Sequence, residues 1–133
     1  MKWIFAALMT VILALPGNAQ MSTAAEVKPI LQLTKGNWIA VREFDEQDLL
    51  YFTHLEVFRC GLAQIRYAIN DSKPLVWQTE PCEGDATFTG SSADRLPYTG
   101  FPLGLVQMVR IELTFDDGTV EIEDFERAAI MIN

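Results

Sequence analysis

LVQMVRIELTFDDGTVEIEDF, residues 105–125, decides the fold class. Leu105, Val109, Ile111, Leu113 and Phe115 sit at alternate positions, with Gln107 the only polar break, and Arg110, Glu112 and Thr114 fill the positions between them. A period of two marks a strand with one buried face. Asp117-Gly118 favours a two-residue hairpin turn. With that turn, Phe115 faces Val120 and Leu113 faces Ile122, while the other side pairs Thr114 with Glu121 and Glu112 with Glu123. The Glu-Glu pair marks that side as solvent-facing. The alternation fails beyond Asp124, which predicts a bend or bulge at Asp124 to Arg127 and a short last strand over Ala128 to Ile132.

Working back from this hairpin, the chain reads as further short strands between turn signals. Leu62 to Ile69 (LAQIRYAI) places Ala63, Ile65, Tyr67 and Ile69 on one face and Gln64 and Arg66 on the other. Asn70 to Pro74 is a turn cluster. Leu49 to Phe58 (LLYFTHLEVF) holds aromatic and β-branched residues that favour a strand over a helix capped by Asp45. Trp38 to Phe44 is rich in β-formers, and Asp45 to Asp48 reads as a polar loop. Val27, Ile30, Leu31 and Leu33 suggest a short first strand, weakened by Pro29. Leu75 to Thr79 is a short strand ending near Cys82. Glu83 to Gly100 reads as a long loop with a weak strand at Ala86 to Thr89. The expectation is an all-β, single-domain antiparallel β-sandwich, immunoglobulin-like by strand count, or a small barrel. The Cys-Trp-Cys spacing of immunoglobulin domains is absent, since Trp77 lies just before Cys82.

The amino terminus carries an export signal. Met1-Lys2 supply a positive end, Trp3 to Leu15 run without charge, and Gly17-Asn18-Ala19 place small residues before a cut ahead of Gln20. Thirteen residues of helix span about 20 Å, short of the roughly 30 Å of a bilayer core. The expected division is a signal peptide over 1–19, a flexible leader over 20–26 and one β domain over 27–133. The expected location is periplasmic or secreted. Loss of Lys2 takes the formal charge from −8 to −9. That charge disfavours nucleic acid and anionic membrane as partners.

Cys60 and Cys82 are the only cysteines. In an oxidising compartment they read as a structural disulfide. Their spacing does not fit a Cys-x-x-Cys redox pair, and two thiols with one histidine fall short of a zinc site. His54, the sole histidine, reads as a core or interface imidazole. None of Ser22, Ser72, Ser91 and Ser92 sits in a Gly-x-Ser-x-Gly elbow to form a triad with it. Asp45, Glu46 and Asp48, and again Asp116 and Asp117, crowd single turns without matching an EF-hand loop. No catalytic residue, cofactor or metal site is expected.

Two surfaces stand out as candidates for binding a partner. The segment from Ile111 to the end holds seven acids against Arg127 alone, so the terminal hairpin, through Glu121 and Glu123, is expected to present a negative outer face to a cationic protein or peptide. Ser91 to Phe101 joins Arg95, Tyr98 and Phe101 to small residues, a composition suited to recognition. In size, export, acidity and β-richness the chain is similar to small periplasmic inhibitors of lysozyme, and Gly90-Ser91-Ser92-Ala93 resembles their serine-rich loop. The resemblance covers those four residues and implies a cationic enzyme as the target. A non-catalytic binding or accessory module is the leading expectation, ahead of such an inhibitor and of a small carboxylate-dependent hydrolase.

Overall fold

The computed structural model describes residues 22–82 and 95–133. The expected signal peptide, the first two residues of the expected leader, the weak strand expected at 86–89 and the Gly90-Ser91-Ser92-Ala93 stretch lie outside these residues. The chain is mostly β, with two four-stranded sheets that share one hydrophobic core. Among the described residues no helix is long and apolar enough to cross a membrane.

A helix, not a strand, opens the domain: α1 runs Ala24–Leu33. Thr23 is the N-cap: its Oγ1 accepts from the Glu26 amide and donates to the Glu26 carboxylate, in the sequence pattern Thr-x-x-Glu. Asp116 accepts from the Ala24 amide at 2.8 Å, satisfying another of the free amides at the helix start. Ala24, Val27 and Leu31 form the buried stripe. Pro29 is exposed, on the side of the helix where a missing intrahelical bond meets water. Ala24 to Glu26, read from the sequence as leader, are therefore the first turn of this helix.

The first sheet has the order β5-β2-β1-β8, from β1 (Ala40–Phe44), β2 (Gln47–Tyr51), β5 (Tyr98–Pro102) and β8 (Met131–Ile132). β1 and β8 run parallel, and the other pairs are antiparallel. The turn between β1 and β2 is only Asp45-Glu46, both with positive φ (51° and 59°), the backbone of a type I′ turn. Gln47 and Asp48 thus belong to the strand rather than to a loop. The apolar run after Leu49 is shared between β2 and a short helix α2 (Thr53–Val57), followed by a 3-10 turn at Arg59–Gly61. Tyr98 to Gly100, expected at the end of a long loop, belong to strand β5.

The second sheet has the order β4-β3-β6-β7, from β3 (Leu62–Ile69), β4 (Leu75–Trp77), β6 (Met108–Phe115) and β7 (Val120–Glu126), and α3 (Arg127–Ile130) follows. Val109, Ile111, Leu113 and Phe115 are buried as the alternation requires, whereas Leu105 is exposed and Val106 takes its place in the core.

The register of the terminal hairpin differs from the expected one by a single residue. Leu113 pairs with Glu121 and Glu112 with Ile122, because the loop is Asp116-Asp117-Gly118 closed by Phe115 and Thr119. Gly118 has φ 85°, and Asp117 accepts from both the amide and the hydroxyl of Thr119. A slip of one residue exchanges the faces of β7. The observed choice buries Phe125 against Trp38, ring centroids 6.0 Å apart, and leaves Val120 and Ile122 about half exposed. Glu121 and Glu123 accordingly lie on the core side. Lys35, from the α1–β1 connection, meets them at 3.2 and 2.5 Å, which offsets the cost of carboxylates beside an apolar core.

The expected disulfide is present. Cys60 and Cys82 are bonded with Cα atoms 5.3 Å apart, tying the segment that follows β4 to the turn before β3.

Candidate functional site

Three titratable residues that attract attention in the sequence are held by partners within the fold. Asp48 is fully buried and accepts from Arg127 at 2.6 and 3.0 Å and from the Val106 amide at 3.0 Å. Arg127 also reaches the Val106 carbonyl and Glu43, at 2.7 Å each. The Arg127 bonds, against the opposing effect of burial and with help from the Val106 and Gly104 amides, lower the Asp48 carboxyl to about 2. Glu56, on α2, is 1% exposed. It accepts from Trp77 Nε1 at 2.9 Å and from Arg95 at 2.6 Å. Arg95 lies over the Trp77 ring, which stacks on Phe52 with centroids 4.0 Å apart. Arg95, expected to point at a partner, is instead a counterion for a buried acid.

His54 bonds to a threonine, not to a serine. Its Nε2 lies 2.9 Å from Thr34 Oγ1, and that hydroxyl already donates to the Ile30 carbonyl at 2.7 Å. The hydroxyl proton is therefore committed, and Nε2 is assigned as the protonated nitrogen from the hydrogen-bond network. Burial lowers the His54 pKa, so the ring is neutral at pH 7. Among the described residues no three His, Cys, Asp or Glu side chains converge to hold a metal ion. Asp116 caps α1, and Asp117 pairs with Lys28.

The acidic face expected on the terminal hairpin is largely neutralised in the fold. Besides Lys35 on Glu121 and Glu123, Arg66 meets Glu112 at 3.3 Å, Arg110 meets Asp124 at 2.8 Å and Lys28 meets Asp117 at 3.0 Å. Lys28, Lys35 and Arg66 are remote in sequence and Arg110 lies one position before the counted segment, so the excess of acids counted along the last residues overstates the field there. Such surface pairs add little stability, but they cancel charge.

The outer face of the first sheet has a different character. Residues paired across strands share a face, and neighbours along a strand alternate. Ala40, Arg42 and Phe44 of β1 therefore lie beside Tyr51, Leu49 and Gln47 of β2, Tyr98, Gly100 and Pro102 of β5, and Ile132 of β8. No acid is among these ten residues, in a chain of net charge −8. The strand acids Glu43 and Asp48 belong to the opposite face, with Arg127. Tyr51 and Tyr98 pack with ring centroids 5.0 Å apart. Arg42 lies over the Phe44 ring at 4.7 Å, and among the described residues it forms no ion pair. Phe44 and Ile132 are about half exposed.

At its α2 end this face opens into a cleft of about 400 Å³ walled by Trp38, Ala40, Tyr51, His54, Val57 and Ile132, among others. That volume is in the range of small-molecule sites. Of the sequence-proposed residues, only Tyr98 lies on this surface. Phe101 turns to the opposite face and packs against the core. Strand alternation in 40–44 and 47–51 could have exposed the acid-free stripe, but the contributions of β5 and β8 come from long-range pairing.

No protein-family model, curated protein sequence or solved structure matches the chain.

Proposed function

We propose that the chain is an exported, non-catalytic binding module of the periplasm whose recognition surface is the outer face of the first sheet together with its cleft. The observation that carries this reading is the absence of acids from that face, combined with its paired tyrosines, exposed Phe44 and Ile132, and Arg42. Exposed aromatic side chains supply large contact area at low entropic cost. A role in binding rather than catalysis is supported by the engagement of Asp48, Glu56 and His54 in bonds within the fold. Asp48, held near 2, is a poor proton donor at neutral pH. Export is supported by the Cys60–Cys82 bond and by the order of residues at the amino terminus.

On the fold, two sheets that each keep two edge strands favour a sandwich over a barrel, which would have none. Lettered in chain order, β1, β2 and β5 correspond to strands A, B and E, and β4, β3, β6 and β7 to strands C′, C, F and G. That grouping supports an immunoglobulin-like sandwich. β8 and α1 are additions to it, and the disulfide does not bridge B and F.

The reading as an inhibitor of a cationic enzyme is the weaker alternative, because local cations offset the hairpin acids and Arg95 is bound to Glu56. The experiment is an NMR screen of the isotopically labelled protein with anionic, neutral and cationic amphipathic fragments. Shifts concentrated on Arg42, Phe44, Tyr51, His54, Tyr98 and Ile132 are expected. Shifts confined to the 112–126 hairpin, or none at all, would overturn the proposal.

A further inference from the structure

We infer that the cleft and the adjoining sheet face take a small hydrophobic monocarboxylate, its apolar body in the cleft and its carboxylate on Arg42. The inference rests on the binding reading above and adds the chemistry of the ligand.

The walls require an apolar body. Trp38, Ile39, Ala40, Tyr51, Val57 and Ile132 make most of the wall, the polar Asn37 and Thr53 are uncharged, and the ring among them, His54, carries no charge. With its Nε2 proton committed to Thr34, His54 offers at most the Nδ1 lone pair, an acceptor that repels an anion. None of the lining residues carries a positive charge, so a cationic partner for the carboxylate must lie outside the cleft. Arg42 is two residues along β1 from Ala40, about 7 Å between Cα atoms, and lies in register with Ile132. Both neighbours are cleft walls and the guanidinium lies over Phe44, on the side away from the cleft, so an extended molecule with its tail in the cleft can run along β1 and bring its carboxylate to the guanidinium.

Charge restricts the choice further. A cationic head has no acid to meet on this face. A polyanion would be repelled by a chain of net −8. A single carboxylate satisfies Arg42, whose planar fork suits it, and adds only one negative charge.

The test is calorimetric titration of the purified protein with decanoate, decanol, decylammonium and acetate below their aggregation concentrations. Decanoate is expected to bind saturably at one site, decanol more weakly, and decylammonium and acetate not at all. Arg42→Gln should weaken decanoate by about tenfold and leave decanol unchanged. Ile132→Glu should abolish binding of both. Lys73→Gln, a cation remote from the face, should change nothing. Circular dichroism melts of each variant separate loss of binding from loss of fold. Equal binding of decanoate and decanol, or indifference to Arg42→Gln, overturns the inference. Fragment shifts that still map to the face would then leave the binding reading standing, whereas their absence would remove both.

Discussion

Replacing Asp48 by asparagine probes the most deeply buried ion pair of the domain. The carboxylate is fully buried, and two bonds from Arg127 with one from the Val106 amide hold it at about 2 instead of 3.8. A carboxyl depressed in the folded state stabilises the fold in full above its unfolded pKa. That contribution is lost as pH falls through the folded value. Nearly two units, at about 1.36 kcal/mol each, give about 2 kcal/mol that is present above roughly pH 4 and gone near pH 2. The D48N variant lacks this contribution at every pH. It also leaves Arg127, whose side chain is 16% exposed, facing an amide, so the total cost at neutral pH is about 3–5 kcal/mol. For a domain of this size that is a fall in Tm on the order of 10–20 °C. Urea unfolding of both proteins across the acid range reads the effect. The gap between wild type and D48N should shrink by about 2 kcal/mol on going from about pH 4 to about pH 2. A cost under about 1 kcal/mol at neutral pH, typical of an exposed pair, or a gap constant with pH, would refute the reasoning.

Three further outcomes are expected. Gly61→Ala sets a methyl group against both methyl carbons of Val27 and 2.9 Å from the Thr23 carbonyl, so α1 must shift at about 1–3 kcal/mol; Gly36→Ala, which meets open space, should stay within about 0.5 kcal/mol in the same thermal melts. Reducing Cys60–Cys82 should lower stability by about 3 kcal/mol in the chain-entropy model, read by urea titration with and without reductant, and two reactive thiols in untreated exported protein would contradict the bond. Phe125→Ala should cost about 3 kcal/mol and Ile122→Thr under about 0.5; the reverse order in chemical denaturation would restore the two-residue-turn register.

Local signals made part of this fold legible. The period-two pattern of 109–115 identifies β6 and its buried face, and the Asp-Gly pair locates the turn. The register of β7 could not be read locally, because Val120 and Ile122 compete with Phe125 for the core side. Trp38 and Lys35, far back in the chain, decide in favour of Phe125. α1 is legible in principle through Thr23-x-x-Glu26, but the apolar Val27, Ile30, Leu31 and Leu33 read locally as a short strand. Asp48 looked like a loop acid because its partner, Arg127, lies 79 residues away. Counting acids along the last segment misjudged the hairpin for the same reason. The outer face of the first sheet is assembled from four strands, and no single stretch of sequence displays it.

Paired nitroxide co-solutes, one cationic and one anionic, measure the local potential at each proton by NMR relaxation, and so test most directly whether an acid-free face exists. Protons of Ala40, Arg42, Phe44, Tyr51 and Tyr98 should relax more with the anionic probe, relative to the cationic one, than protons anywhere else on the described surface. A stronger effect of the cationic probe at those residues, matching the rest of this acidic chain, would contradict it.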